Sequence, residues 1–270
     1  MEKGKYIYCI VGANKDKKDL LDDKCEFRKK YVSPGIGGEN DEVYSVFYRD
    51  IAAIISSSSD KSYSISRKNV ICHQKVLEEL MEGYTVLPVR FDTVASSKDG
   101  VCAEERIKEE VLKGRYEELK DLLVKMDNKV ELGIKASWID MKVIFQEIVE
   151  ENKDIKRLKK KLFSKSINKP YGEKAILGEM VIHALEEKKL KEERDILKGL
   201  EEHYVDKRIN KVFGDKMITN LSFLVEKTKI EEFDRLVDKL STVYKERIKF
   251  KYMGSTPPIN FIELVIFLEE

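Results

Sequence analysis

The chain has little of what small catalytic, metal-binding or cross-linked proteins are built on. Four cysteines, Cys9, Cys25, Cys72 and Cys102, are spread over 270 residues. None forms a CxxC pair, which excludes the redox dithiol and the zinc-ribbon pattern. Scattered thiols with mostly apolar flanks fit a reducing, cytoplasmic setting. The three histidines, His73, His183 and His203, make neither HxxxH nor HExxH, so no convergent metal site is encoded. No GxSxG elbow occurs. Charge of one sign is lacking too. Lys plus Arg is 51 and Asp plus Glu is 50, a net charge of +1. That balance is too even for a protein whose main task is coating nucleic acid. Long apolar runs are also missing. Tyr6 to Val11 is too short for a signal-peptide core, and Phe261 to Leu268, interrupted by Glu263, cannot span a bilayer.

What is present is charge of both signs and enough apolar matter for a core. Charged residues make up 37% of the chain against the usual ~25%, yet 42% is apolar, with 11 Phe and 12 Tyr. Such a chain buries most of its unfolded surface, which rules out global disorder. At about 100–200 residues per domain its length gives one large domain or two ordinary ones.

Tyr6 to Val11 is continuous, aromatic and β-branched, and reads as a buried first strand. The charged stretch from Lys15 to Lys30 is compatible with a short helix, and Ser33 to Gly38 is a loop. Val43–Tyr48 and Ile51–Ile55 read as strands about Arg49-Asp50, a turn without the usual glycine. Ser66 is positioned to cap a helix whose face carries Val70, His73, Leu77 and Leu80, and Gly83 ends it. Val86 to Phe91 is strand-like, with Pro88 favouring a sheet edge. The order β–(α)–β–β–α–β is that of a ferredoxin-like unit. Two helices follow, marked by Ile107, Val111 and Leu112 and by Leu119, Leu122, Leu123 and Met126.

Val130, Leu132, Ile134, Ala136 and Trp138 then alternate with Glu131, Gly133, Lys135 and Ser137, the pattern of a half-buried strand with Trp138 inward. A helical stretch follows from about 140 to 202, with a break near Asn168-Lys169-Pro170. A weak strand at Asp206–Val212, a strand with Leu221, Phe223 and Val225, a helix with Phe233, Leu236, Val237 and Leu240, and a strand with Ile248, Phe250 and Tyr252 complete a second unit of the same order. The fold class is α+β: two ferredoxin-like domains with additional helices. Expected boundaries are 1–128 for the first and 129–270 for the second, the latter with a long helical insertion and a C-terminal tail packed on it.

Several features invite sharper chemistry. Gly35, Gly37 and Gly38 lack the following helix and the Lys that a phosphate loop needs. His73 lies on an apolar helix face, the place of a hydrogen-bonded core histidine. Adjacent Cys72 and His73 diverge on a helix and cannot act as nucleophile and base. The block Lys153–Lys169 carries eight bases and one acid, and fits the solvated face of an amphipathic helix able to pair with the net-acidic stretch Glu173–Glu202. Phe250 and Tyr252 echo an RNA-binding strand without its glycine. No catalytic, cofactor or nucleic-acid site is expected.

A set of segments does resemble one family. Tyr6 to Val11 is similar to the opening strand of the GvpL/GvpF gas vesicle synthesis proteins. Leu87, Pro88, Val89, Arg90, Phe91, Asp92, Thr93 and Val94 resemble the family's N-domain motif, with Asp92 where glycine is usual. Val130 to Trp138, Asn220 to Val225 and Gly254 to Phe261 complete the pattern. In the last of these the Trp near Thr256 and the Tyr near Ile259 are missing, so contacts of those aromatics do not carry over. The resemblance implies a non-enzymatic, cytoplasmic accessory protein of gas vesicle assembly. Its partners would be the small hydrophobic shell protein and other accessory proteins, and Leu87, Pro88, Arg90, Phe91 and Thr93 would face a partner or a domain interface. A water-excluding shell needs subunits with large apolar faces, which before assembly are aggregation hazards that a charged adaptor can cover. Retention on the finished vesicle and a small-molecule or nucleotide-binding ferredoxin-like protein are the alternatives. Arg90, inside an apolar motif, is expected to find an internal or interdomain acidic partner.

Overall fold

Continuous apolar character makes the first strand, β1 (Gly4–Gly12), the centre of a sheet, where both faces and both edges are covered. The structure, a computed structural model, describes residues 4–12, 35–36, 42–164, 171–262 and 264–268. The expected helix at 15–30, most of the loop at 33–38 and the break at 168–170 lie outside them. The chain divides into two compact units, Met1–Glu131 with Ser255–Glu270, and Leu132–Gly254. Each is described by itself.

In the first unit, β2 (Val43–Tyr48) and β3 (Ile51–Ser58) form a hairpin. They are followed by α1 (Arg67–Met81), β4 (Thr85–Pro88) and the short β5 (Val94–Ala95). The sheet order is β2-β3-β1-β4, with β5 also on β1, and every partner of β1 is antiparallel to it. This is the ferredoxin-like order. The hairpin turn has no glycine, so Arg49 takes φ 53° itself. Its guanidinium lies over the rings of Tyr48 and Tyr116, 5.3 and 4.8 Å from their centres.

β1 carries a bulge: its register with β3 slips between Ile7 and Cys9, leaving Tyr8 as an extra residue. The slip puts Tyr6, Tyr8, Cys9 and Val11 into one core with Val76, Leu77 and Leu80 of α1. Gly12 falls on the other face, where a Cβ would stand only 3.0 Å from Leu123 of α3 (Tyr116–Met126). Between β5 and α3 lies α2 (Ala103–Arg106), continued by a π-helical segment, Ile107–Lys113, which buries Ile107, Val111 and Leu112 as expected. On α1, Ser66 Oγ accepts the Asn69 N–H, the expected cap. Val70, however, is exposed, and Val76 takes its expected core place.

The second unit holds most of β6 (Lys129–Trp138), α4 (Met141–Glu151), α5 (Lys153–Ser164), α6 (Tyr171–Lys198), β7 (Asp206–Ile209), β8 (Met217–Glu226), α7 (Ile230–Val243) and most of β9 (Ile248–Thr256), with sheet order β7-β8-β6-β9. Trp138 is fully buried among Ile144, Ile148, Ile196 and Ile218. Its indole N–H donates to Glu192 at 2.7 Å. Glu192 and Glu147 both hold Arg247, and Glu147 and Glu151 hold Lys188. This network ties α4 and α6 to the start of β9.

Two expectations are corrected. β6 is not half-buried: residues 130–134 are buried on both faces. The reason is Glu131, whose carboxylate accepts the Asn260 backbone N–H at 2.9 Å and the Asn260 side-chain amide. The tail, expected with the second domain, is placed elsewhere. It belongs to the first, where Leu264 makes a parallel bridge with Val89 just beyond β4. A strand edge with free main-chain groups is a stronger partner for an extended apolar segment than a closed surface.

Candidate functional site

The motif Leu87–Val94 begins in β4, which ends at Pro88 on the sheet edge, and Val89 still donates its N–H to the Tyr8 carbonyl at 3.0 Å. Beyond Pro88 the chain turns back toward β1. Asp92 sits at φ 69°, the left-handed region that glycine enters without penalty. An aspartate serves here because its carboxylate accepts the Ser62 hydroxyl at 2.8 Å and the Tyr63 N–H. Its own N–H donates to Tyr6 Oη at 3.2 Å. The Thr93 hydroxyl closes the turn on the Arg90 carbonyl at 2.7 Å.

This turn forms one wall of a cleft of about 580 Å³. Pro88, Val89, Arg90 and Phe91 line that wall, α1 contributes Val70, His73 and Gln74, and the tail contributes Ile259, Ile262, Leu264 and Val265. Of the five motif residues singled out from the sequence, Pro88, Arg90 and Phe91 therefore reach the cleft. Leu87 does not: it is fully buried and pairs with Ile10. Thr93 does not either, and shapes the turn instead. The sequence reading places the tail on its own, second domain and keeps Ile259 to Phe267 only as a rival partner surface, because an eight-residue apolar run with neither helical nor strand period gives no clue to which unit it serves. Val70 was misread because its helical spacing is that of a core residue.

The expected acidic partner of Arg90 is not found. Arg90 is exposed, and its side chain makes no ion pair among the described residues. Its backbone N–H donates to the Leu264 carbonyl at 3.2 Å. β4 ends two residues earlier, so position 90 escapes the inward alternation that the sequence implied.

Beneath the cleft lies an aromatic floor. His73 Nδ1 is 3.0 Å from Tyr6 Oη and its ring stacks on Tyr8, with Phe91 edge-on. Burial pushes the His73 pKa down to about 4 and the Tyr8 pKa up to about 12, and raises Tyr6 further. At neutral pH the floor is uncharged, and its groups are tuned away from proton exchange. No cluster of His, Cys, Asp or Glu among the described residues is grouped to hold a metal. The arrangement is an apolar cleft with the exposed Arg90 at its rim and a sheet edge as its wall.

The comparisons with known proteins agree with this architecture. A gas vesicle protein F of Microcystis aeruginosa is 27% identical over 231 residues, covering 85% of this chain and 91% of the relative. A gas vesicle protein F1 of Halobacterium salinarum is 25% identical, covering 87% and 88%. The crystal structure of GvpF from an Anabaena species superposes with a TM-score of 0.79 at 22% identity, over 97% of this chain and 99% of that one, a likeness of fold. The model of the gas vesicle synthesis protein GvpL/GvpF family matches residues 4–263, and the chain belongs to that family.

Proposed function

We propose that the protein is a non-enzymatic accessory factor of gas vesicle assembly, acting in the cytoplasm and at the vesicle, and that the cleft of its first unit holds the small hydrophobic shell subunit. Membership of a gas vesicle synthesis family supports a role in gas vesicle biogenesis. The observation that carries the finer reading is the sheet edge beside β4, met by the tail at the Val89–Leu264 bridge and walled by apolar side chains. Such an edge accepts an added strand, whose main-chain bonds give affinity while pockets for alternate side chains give selectivity. Pro88 and Phe91 shape the wall, Leu87 and Thr93 hold it in place, and Arg90 at the rim takes a carboxylate or carbonyl of the incoming subunit. Other accessory proteins of gas vesicle formation are expected on the remaining surface.

The test uses the full chain, because residues 255–270 belong to the first unit and a cut near 128 would remove them from it. Val70 and Ile259 are 38% and 47% exposed, so Val70→Asp and Ile259→Asp leave the core intact. Binding to purified shell protein should survive high salt and fall by about tenfold or more in the double variant. Binding unchanged in that variant, or abolished by moderate salt in the parent protein, would overturn the cleft as the site.

A further inference from the structure

We propose that a groove between α4, α5 and α6 of the second unit is a docking surface for an acidic amphipathic helix of a partner protein. The groove encloses about 840 Å³. Its floor is apolar: Phe145 and Val149 from α4, Ile155 from α5, and Leu177 and Val181 from α6. Four lysines stand at its rim, Lys142 on α4 and Lys156, Lys159 and Lys160 on α5.

The state of those lysines sets the chemistry of the occupant. Neighbouring cations of the same helices are neutralised within the unit: Lys161 reaches Glu173 at 2.6 Å, and Lys188 reaches Glu151 at 2.8 Å. The four rim lysines are exposed and make no ion pair among the described residues. The carboxylate of Glu150, which lines the groove, accepts the Gln146 amide at 3.0 Å. Four cations without an ion pair among the described residues thus surround this apolar groove. An occupant must bring apolar side chains for the floor and carboxylates for the rim.

Geometry favours a helix over other occupants. The walls are helical stripes. Lys142, Phe145, Gln146 and Val149 follow i, i+3, i+4 and i+7 on α4, and Lys156, Lys159 and Lys160 share one face of α5. A helix ridge seats between such stripes. Its flanking carboxylates then meet Lys142 on one wall and the α5 lysines on the other. A bilayer surface fits poorly, because most of the floor is recessed: Ile155 is buried and Val149, Leu177 and Val181 are half-buried.

The experiment measures anisotropy of a labelled helical peptide of leucine and glutamate, about four turns long, against the full chain. A leucine–lysine peptide of equal length and vesicles containing phosphatidylglycerol serve as comparisons. The acidic peptide is expected to bind. Its affinity should fall by about tenfold or more in a K156E, K159E, K160E variant, and by a similar factor in Phe145→Ser, which leaves the charge unchanged. Circular dichroism checks that both variants stay folded; all four residues are exposed. Equal binding of the basic peptide would overturn the proposal. So would an acidic peptide indifferent to Phe145→Ser, which is adsorption to surface charge alone, or a preference for the vesicles.

Discussion

Asp92 shows how much one residue can settle about a local conformation. Its φ of 69° favours glycine, while its carboxylate bonds to Ser62 and Tyr63 favour aspartate. Asp92→Ala loses the bonds and keeps the strain; Asp92→Gly loses the bonds but relieves the strain. Denaturant unfolding should therefore rank Asp92→Ala below Asp92→Gly by about 1–2 kcal/mol. Equal stabilities would mean that the backbone relaxes out of this region. His73 gives a pH signature. In the unfolded chain it titrates near pH 6.5, and in the fold only at about 4, because burial opposes its charge. Between those values the unfolded state binds the extra proton, so stability falls as pH drops from about 6.5 and levels off below about 4. The loss is roughly 3 kcal/mol at most, and His73→Gln should flatten it in midpoint measurements across that window. The buried place of His73 was readable from helical spacing. The exposure of Arg90 was not, since composition marks an apolar motif but not the residue at which its strand stops.

At the scale of elements, the sequence revealed strands and helices better than it revealed their neighbours. β1, α1 and the Trp138 strand are legible from apolar runs and periods. The gap between α4 and α5 at Asn152 carries neither glycine nor proline, and was read as unbroken helix. β6 looked half-buried because Glu131 reads as solvent-facing; its partner Asn260 is 129 positions away and nothing local announces it. The same long reach governs the second unit's ion network. Trp138→Ala empties a fully buried site and strips Glu192 of one donor, so a cost of about 3–5 kcal/mol is expected. A loss below about 1 kcal/mol would contradict the observed packing. Glu147, held by Arg247 and Lys188, has its pKa lowered to about 2. A lowered carboxylate pKa adds stability above the ordinary value of about 4.3, and that stability drains as pH falls toward 2. Glu147→Gln should remove that acid-dependent slope in Trp138 fluorescence; an unchanged slope would assign the acid loss to other groups.

For the chain as a whole, the division into units is the feature least visible in sequence. The first unit combines residues 1–131 with residues 255–270, and the second takes the stretch of sequence between them. A boundary drawn near 128 follows the order of elements, but contacts follow space, and the final segment returns to the first unit. Its described contacts there include the Leu264 carbonyl on the Arg90 N–H, the Val265 carbonyl on the Arg115 guanidinium at 2.8 Å, the buried side chains of Ile262, Leu264 and Ile266, and Asn260 on Glu131. Glu131 is only 6% exposed, so its carboxylate depends on those donors. Asn260→Ala removes the side-chain amide and should destabilise the first unit by about 1–3 kcal/mol. Glu131→Gln in the same chain removes the charge that needed the amide, so the double variant should lose less than the sum of the two single changes. Hydrogen exchange localises the effect. The Arg90 amide should exchange faster in Asn260→Ala, while amides within β8 keep their protection. Additive losses, or an Arg90 amide that exchanges as in the parent protein, would show that the tail is held independently of the Asn260–Glu131 bond.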